Sequence, residues 1–143
     1  MLDCAQPGDY CLQEIAVHAA SYHLERGKDR NEFNPGLGLK VRPVRDAEST
    51  DRWFVAGGFY RNSFYRTSVY VGIGTDVPLA WGAALRFTAM GVTGYSLTVS
   101  PVIVPELVLH ARGYGVSVAF VPKLKFENHV VEPVVALSLL KKF

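Results

Sequence analysis

The chain has 143 residues, 49% of them hydrophobic and 20% charged, enough for one domain with a core or a small barrel. Fifteen Lys and Arg against thirteen Asp and Glu leave a net charge of +2, too little for a phosphate-binding surface, which argues against nucleic acid as a partner. No apolar run approaches the roughly 20 residues of a spanning helix, so a helical membrane protein is excluded as well.

The start, Met1-Leu2-Asp3-Cys4, has neither a cationic region nor an apolar stretch, so no signal peptide is visible, and the expectation is either a protein that stays inside or a mature chain. Cys4 and Cys11 are either two unrelated small residues or a short-range disulfide, which needs an oxidising compartment such as the periplasm. They lack metal-site spacing, and no metal is expected. Residues 1–12 form a lead segment. Eight stretches of strand length follow, at about 14–24, 36–44, 52–60, 67–75, 81–90, 102–112, 114–121 and 130–143. The residues between them are polar or carry Gly, Pro or Asn, as turns require. Such regular spacing fits an antiparallel meander in a single domain, 1–143.

Several stretches alternate. Val69, Val71 and Ile73 share one face, with Tyr70, Gly72 and Gly74 on the other. Leu85 and Phe87 oppose Arg86 and Thr88, and Leu107 and Leu109 oppose Glu106, Val108 and His110. In the last stretch Val135, Leu137, Leu139 and Phe143 share a parity. A soluble sandwich would bury that face, and an outer-membrane barrel would present it to lipid. Two features favour the membrane. The strand number is even, and eight is a common size for a small closed barrel. The chain also ends on an aromatic residue after an alternating strand, which resembles the terminal pattern of bacterial outer-membrane barrels. Tyr22, Trp53, Tyr60, Trp81 and Tyr95, near segment ends, are the expected interfacial girdle. The predicted fold is an all-β, eight-stranded, antiparallel, up-and-down transmembrane barrel.

An ordered set of short motifs then narrows the reading. The second half carries Phe87-Thr88-Ala89-Met90-Gly91-Val92-Thr93, Pro101-Val102-Ile103-Val104-Pro105, Gly113-Tyr114-Gly115 and Phe120-Val121-Pro122. Upstream lie Asn31-Glu32-Phe33-Asn34-Pro35-Gly36, Arg61-Asn62-Ser63-Phe64 and Gly72-Ile73-Gly74. In this order and spacing the set resembles the lipid A palmitoyltransferases of the PagP type, over residues 18–143. The resemblance implies an outer-membrane barrel that moves a palmitoyl chain from a glycerophospholipid donor to a lipid A acceptor. It implies no cofactor, and the chain is expected to act as a monomer in outer-membrane lipid. Two departures stand out. The family's helix before the first strand has no convincing counterpart here, and the family's Asp beside the serine is Asn62.

Acyl transfer needs a base for the attacking hydroxyl and donors for the developing oxyanion. The resemblance places the catalytic histidine at His18, with His23, nearer the loop end of the same stretch, as the alternative. The two have opposite parity, so a regular strand turns only one of them inward. Ser63 is the hydroxyl expected to position the reacting groups or to steady the oxyanion, and Asn62 is a possible amide donor beside it. Arg61 and Arg66 flank this turn as candidate contacts for lipid A phosphates, although solvated surface arginines are the simpler account. Tyr70, Gly72 and Gly74 are the expected acyl-chain pocket, and the resemblance implies that Gly74 is the floor that measures the chain. A side chain added at Gly74 is therefore expected to shorten the chain selected. The resemblance implies that Pro105 and Pro122 form a lateral lipid gate, which fits proline's lack of the N–H that strand pairing needs, with ordinary edge-strand prolines as the alternative. Arg86, Glu106 and His110 are expected to form a polar network below the pocket. Asn62 keeps open a catalytically silent lipid-binding barrel of the same fold. A soluble lipid-binding barrel is the third reading.

Overall fold

The computed structural model describes residues 9–25, 29–43, 52–95, 97–126 and 129–143. Among the described residues ten strands form: β1 (Tyr10–His23), β2 (Phe33–Pro43), β3 (Trp53–Arg61), β4 (Thr67–Pro78), β5 (Ala83–Val92), β6 (Ser100–Ala111), β7 (Tyr114–Val121), β8 (Leu124–Phe126), β9 (His129–Val131) and β10 (Val134–Lys142). Eight of them close an antiparallel barrel in the order β1-β10-β7-β6-β5-β4-β3-β2, and β8 pairs with β9 in a separate hairpin. The expected segments are present with small shifts. β1 begins inside the lead segment, and the stretch at 130–143 is divided at Glu132-Pro133. β8 falls where the sequence reads as a turn.

The connections β1–β2, β3–β4, β5–β6 and β7–β10 gather at one end, here the mouth. Both ends of the chain's barrel and the β4–β5 and β6–β7 turns gather at the other end, the base. The β6–β7 turn consists of Arg112 (φ 51°) and Gly113 (φ 80°) between the paired residues Ala111 and Tyr114. Two successive positive φ values make the tight hairpin turn whose twist matches that of the strands it joins. Cys11, near the base, is buried and disulfide-bonded. The chain's other cysteine, Cys4, lies outside the described residues.

Alternation decides which side chains face out. Val69, Val71, Ile73, Ile103, Leu107, Leu109, Leu137 and Leu139 are all exposed on the outer wall. A continuous apolar exterior of this kind suits lipid rather than water. Trp81, Tyr10, Tyr114 and Phe143 are exposed at the base, and Tyr22 is exposed near the mouth. Tyr60 and Tyr95 depart from the expected girdle. Both line the interior cavity, and their hydroxyls meet at 2.8 Å. Tyr60 shares the inward parity of Phe54 on β3, so its place near a strand end does not make it interfacial.

Two irregularities shape the interior. In β1 the pairing with β10 runs through His18↔Ser138 and resumes at Ala20↔Leu137, leaving Ala19 as an extra residue. Such a bulge reverses the facing of everything beyond it. Glu14, Ala16 and His18 therefore face inward below the bulge, and Ser21 and His23 face inward above it. Opposite parity does not separate the two histidines. The second irregularity is a seam. β6 and β7 pair only from Ala111↔Tyr114 to Glu106↔Ala119. Above that level residues 100–105 of β6 are bonded to β5, and Phe120 and Val121 of β7 are bonded to β10. Pro105 begins the unpaired stretch and Pro122 follows β7, which fits the loss of donors expected there.

Candidate active site

The barrel encloses a cavity of about 720 Å³, a size typical of small-molecule sites. Its base is sealed by charge. Arg86 on β5 forks onto Glu14 on β1 (Nη1–Oε1 2.8 Å, Nη2–Oε2 3.2 Å) and reaches Asp76 on β4 through Nε at 2.8 Å. Lys40 and Arg42 on β2 each meet Asp76 at 2.8 Å. His110 Nε2 lies 3.0 Å from Glu14, and Glu106 lies 3.8 Å from Arg86. The expected trio Arg86, Glu106 and His110 is thus part of a larger network that also ties in Glu14, Lys40, Arg42 and Asp76. Asp76 escapes a sequence reading because it looks like a turn residue.

Phe54 packs against this network and lines the cavity beside it. It is fully buried, with Lys40 Nζ 5.0 Å and the Arg86 guanidinium 5.3 Å from its ring centre. The ring also covers Gly74, where an added Cβ would stand 2.5 Å from Phe54 Cζ and 2.5 Å from the Phe87 carbonyl oxygen. An added Cβ at Gly72 would stand 2.5 Å from the Ala89 carbonyl oxygen. Neither glycine opens space for a chain, which corrects the expected pocket. Tyr70 does line the cavity, but its hydroxyl is bound to His18 Nε2 at 2.9 Å. His18 Nδ1 meets Ser138 Oγ at 2.9 Å, so His18 bridges β1, β4 and β10 at mid-height.

The apolar wall lies on the other side of the barrel. Met90, Val102, Val104, Ala119, Val121 and Ala136, from β5, β6, β7 and β10, all line the cavity. Four of the six flank the unpaired seam between β6 and β7, so the seam leads to this wall.

At the mouth His23 and Ser63 come together. His23 Nε2 and Ser63 Oγ share a hydrogen bond of 2.8 Å, and His23 is only 4% exposed. The pairing of β1 with β10 ends at His23↔Val134, and the His23 N–H also lies 3.4 Å from Glu32 Oε1. Ser63 sits in the β3–β4 turn, where its carbonyl accepts from the Asn31 N–H at 3.0 Å. The serine turn therefore partners His23 and not His18, the residue the resemblance selects.

Asn62 builds that turn. It is wholly buried, and its Oδ1 accepts from the Phe64 and Arg66 N–H groups at 2.9 and 3.0 Å. Its Nδ2 donates to Ser68 Oγ at 3.0 Å and to the Gly94 carbonyl at 2.9 Å. Both amide hydrogens are spent, so no donor remains for an oxyanion, contrary to the expected role. Asn62→Asp would set a carboxylate against the Gly94 carbonyl. The variant should lose about 1–3 kcal/mol of stability, read from thermal unfolding in detergent, and gain no activity. An active, equally stable Asp variant would show that the turn tolerates charge.

Sequence reasoning missed Ser21. Its Oγ is buried, has no hydrogen-bond partner among the described residues, and lines the cavity. It shares the inward face of His23, two residues deeper in β1, and only the bulge puts it there. Around the rim, Arg30 pairs with Glu132 at 3.0 Å and stacks 4.7 Å above the Phe64 ring. Burial, then the neighbouring Tyr60, pushes the Tyr95 phenol well up from its ordinary value, so it stays a neutral hydrogen-bonding group. Arg66 lines the cavity mouth, whereas Arg61 stacks outside against Tyr65 at 5.9 Å. Among the described residues no cluster suited to a metal ion occurs.

No family model matches the chain, and no curated protein matches it. Among solved structures, the Yersinia pestis outer membrane protein Ail, in a phospholipid bilayer nanodisc, is similar with a TM-score of 0.56. The two share 14% sequence identity over 92% of this chain and 99% of that chain. The fold is that of an outer-membrane-type eight-strand barrel. At that identity the likeness concerns the fold alone, and the chemistry has to be argued from the side chains.

Proposed function

We propose that this protein is an acyltransferase of the bacterial outer membrane that moves a palmitoyl chain from a glycerophospholipid to lipid A. The observation that carries the reading is the His23–Ser63 pair at 2.8 Å, set at the mouth of an interior cavity with an apolar wall. Histidine is suited to take and return a proton near neutral pH. The donor's acyl chain enters sideways between β6 and β7, where Pro105 and Pro122 bracket the missing pairing, and lies against Val102, Val104, Ala119 and Ala136. The ionic base and Phe54 limit its depth. The motif series shared with the lipid A palmitoyltransferases supports palmitate as the chain and lipid A as the acceptor.

The test is transfer of labelled palmitate from phosphatidylcholine to lipid A by the protein in detergent micelles. Label reaching lipid A supports the reading, and its absence with folded protein favours the catalytically silent lipid-binding barrel, towards which Asn62 points. Chain selection gives a sharper check. Ala119→Trp places an indole on the apolar wall at the level where β6–β7 pairing ends, and should shift transfer towards chains shorter by several methylenes. Gly74→Ala should instead overpack Phe54 and cost about 1–3 kcal/mol of stability without changing chain selection. Donors of graded chain length, compared by mass spectrometry of the product, distinguish the two. A length shift confined to Gly74→Ala would return the floor to β4.

A further inference from the structure

We infer that Ser63 is itself acylated during transfer, so that the palmitoyl group rests on its Oγ between donor and acceptor. The inference rests on the acyl-transfer reading above. Direct transfer requires the acceptor hydroxyl to reach the imidazole nitrogen that takes its proton. His23 is 4% exposed, and its Nε2 is already engaged by Ser63 Oγ at 2.8 Å. An acceptor could reach that nitrogen only by displacing the serine. Ser63 lines the cavity, and its turn is pinned by the Asn62 side chain and by the Asn31 N–H. A hydroxyl within hydrogen-bond reach of a held imidazole is the arrangement of an activated nucleophile. The buried Ser21 hydroxyl, on the same inward face of β1, is the matching donor for the oxyanion.

In the first half-reaction Ser63 Oγ attacks the carbonyl carbon of the donor's ester, and its proton passes to His23 Nε2. The carbon–oxygen bond to glycerol then breaks. The glycerol oxygen takes the proton from His23, and a lysophospholipid departs, leaving palmitoyl-Ser63. In the second half-reaction His23 removes the proton of the acceptor hydroxyl, whose oxygen attacks the same carbonyl. The bond to Ser63 breaks, and Oγ regains the proton from His23. No oxidant, reductant or metal enters the balance.

The full chain in detergent micelles is incubated with phosphatidylcholine, without acceptor, and quenched in acid for intact and peptide mass measurement. A gain of one palmitoyl group on the peptide carrying Ser63, discharged when lipid A is added, is expected. Steady-state transfer should give parallel double-reciprocal lines. Ser63→Ala should carry no adduct and lose more than about 10³-fold in rate. Ser63→Cys should retain the chain as a thioester, and heat-modifiable gel migration establishes that both variants fold. Ser21→Ala should slow adduct formation by about 10²–10³-fold.

Intersecting lines, or Ser63→Ala keeping more than roughly a tenth of the rate, would overturn the covalent step while leaving acyl transfer in place. An adduct discharged only to water supports Ser63 acylation and removes lipid A from the reading. Neither adduct, lysolipid nor product would overturn both.

Discussion

His23→Ala should lower acyl transfer by about 10²–10⁴-fold, the usual cost of removing a positioned acid–base group. His18→Ala should leave most of the activity. His23 holds the serine turn at 2.8 Å, whereas His18 spends both ring nitrogens on Tyr70 and Ser138 inside the barrel. Losing His18 leaves two interior hydroxyls without that partner, at a cost of about 1–3 kcal/mol in stability. The two variants therefore part in the transfer assay. Both variants should melt somewhat earlier than the parent, but His23→Ala should transfer little palmitate and His18→Ala should transfer well. The opposite pattern would move the chemistry to mid-barrel and detach it from Ser63.

Arg86→Met should be the most damaging substitution to stability. The guanidinium serves Glu14 and Asp76 together, and removing it leaves Glu14 with only His110 at 3.0 Å and Lys40 at 3.7 Å among the described residues. Breaking a buried ion pair from one side costs about 3–5 kcal/mol. The double variant Arg86→Met/Glu14→Gln should recover much of the loss, because Asp76 keeps Lys40 and Arg42. Urea titration in detergent micelles, followed by tryptophan fluorescence, measures both. If Arg86→Met unfolds at the parent's midpoint, water must reach the network freely, and the base would be open rather than sealed.

Much of the barrel is legible in the sequence because strand alternation has a period of two. Val69, Val71 and Ile73 against Tyr70, Gly72 and Gly74 assign the lipid side and the inner side without further knowledge. Pro105 and Pro122 announce the seam because a missing N–H is a property of the residue itself. Three features leave no such trace. The bulge at Ala19 adds one small residue among others and so conceals that both histidines face in. The space above Gly74 looks vacant until Phe54, twenty residues earlier, is seen to fill it. Asn62 reads as a weakened catalytic Asp, when four hydrogen bonds make it the frame of the turn. For the bulge and for Gly74 the deciding partner lies on another strand, and for Asn62 it is divided between its own turn, β4 and the β5–β6 connection.

The extra residue in β1 has a wider consequence. It lets His18 and His23, five positions apart, face the same interior, where unbroken alternation would turn one of them to the lipid. Deleting Ala19 would join His18 to Ala20 in regular register and leave Ser21 and His23 facing in, whereas straightening the strand with Ala19 retained would turn both towards the bilayer. One strand thus carries an imidazole tied into the barrel interior and, past the bulge, a second one at the mouth.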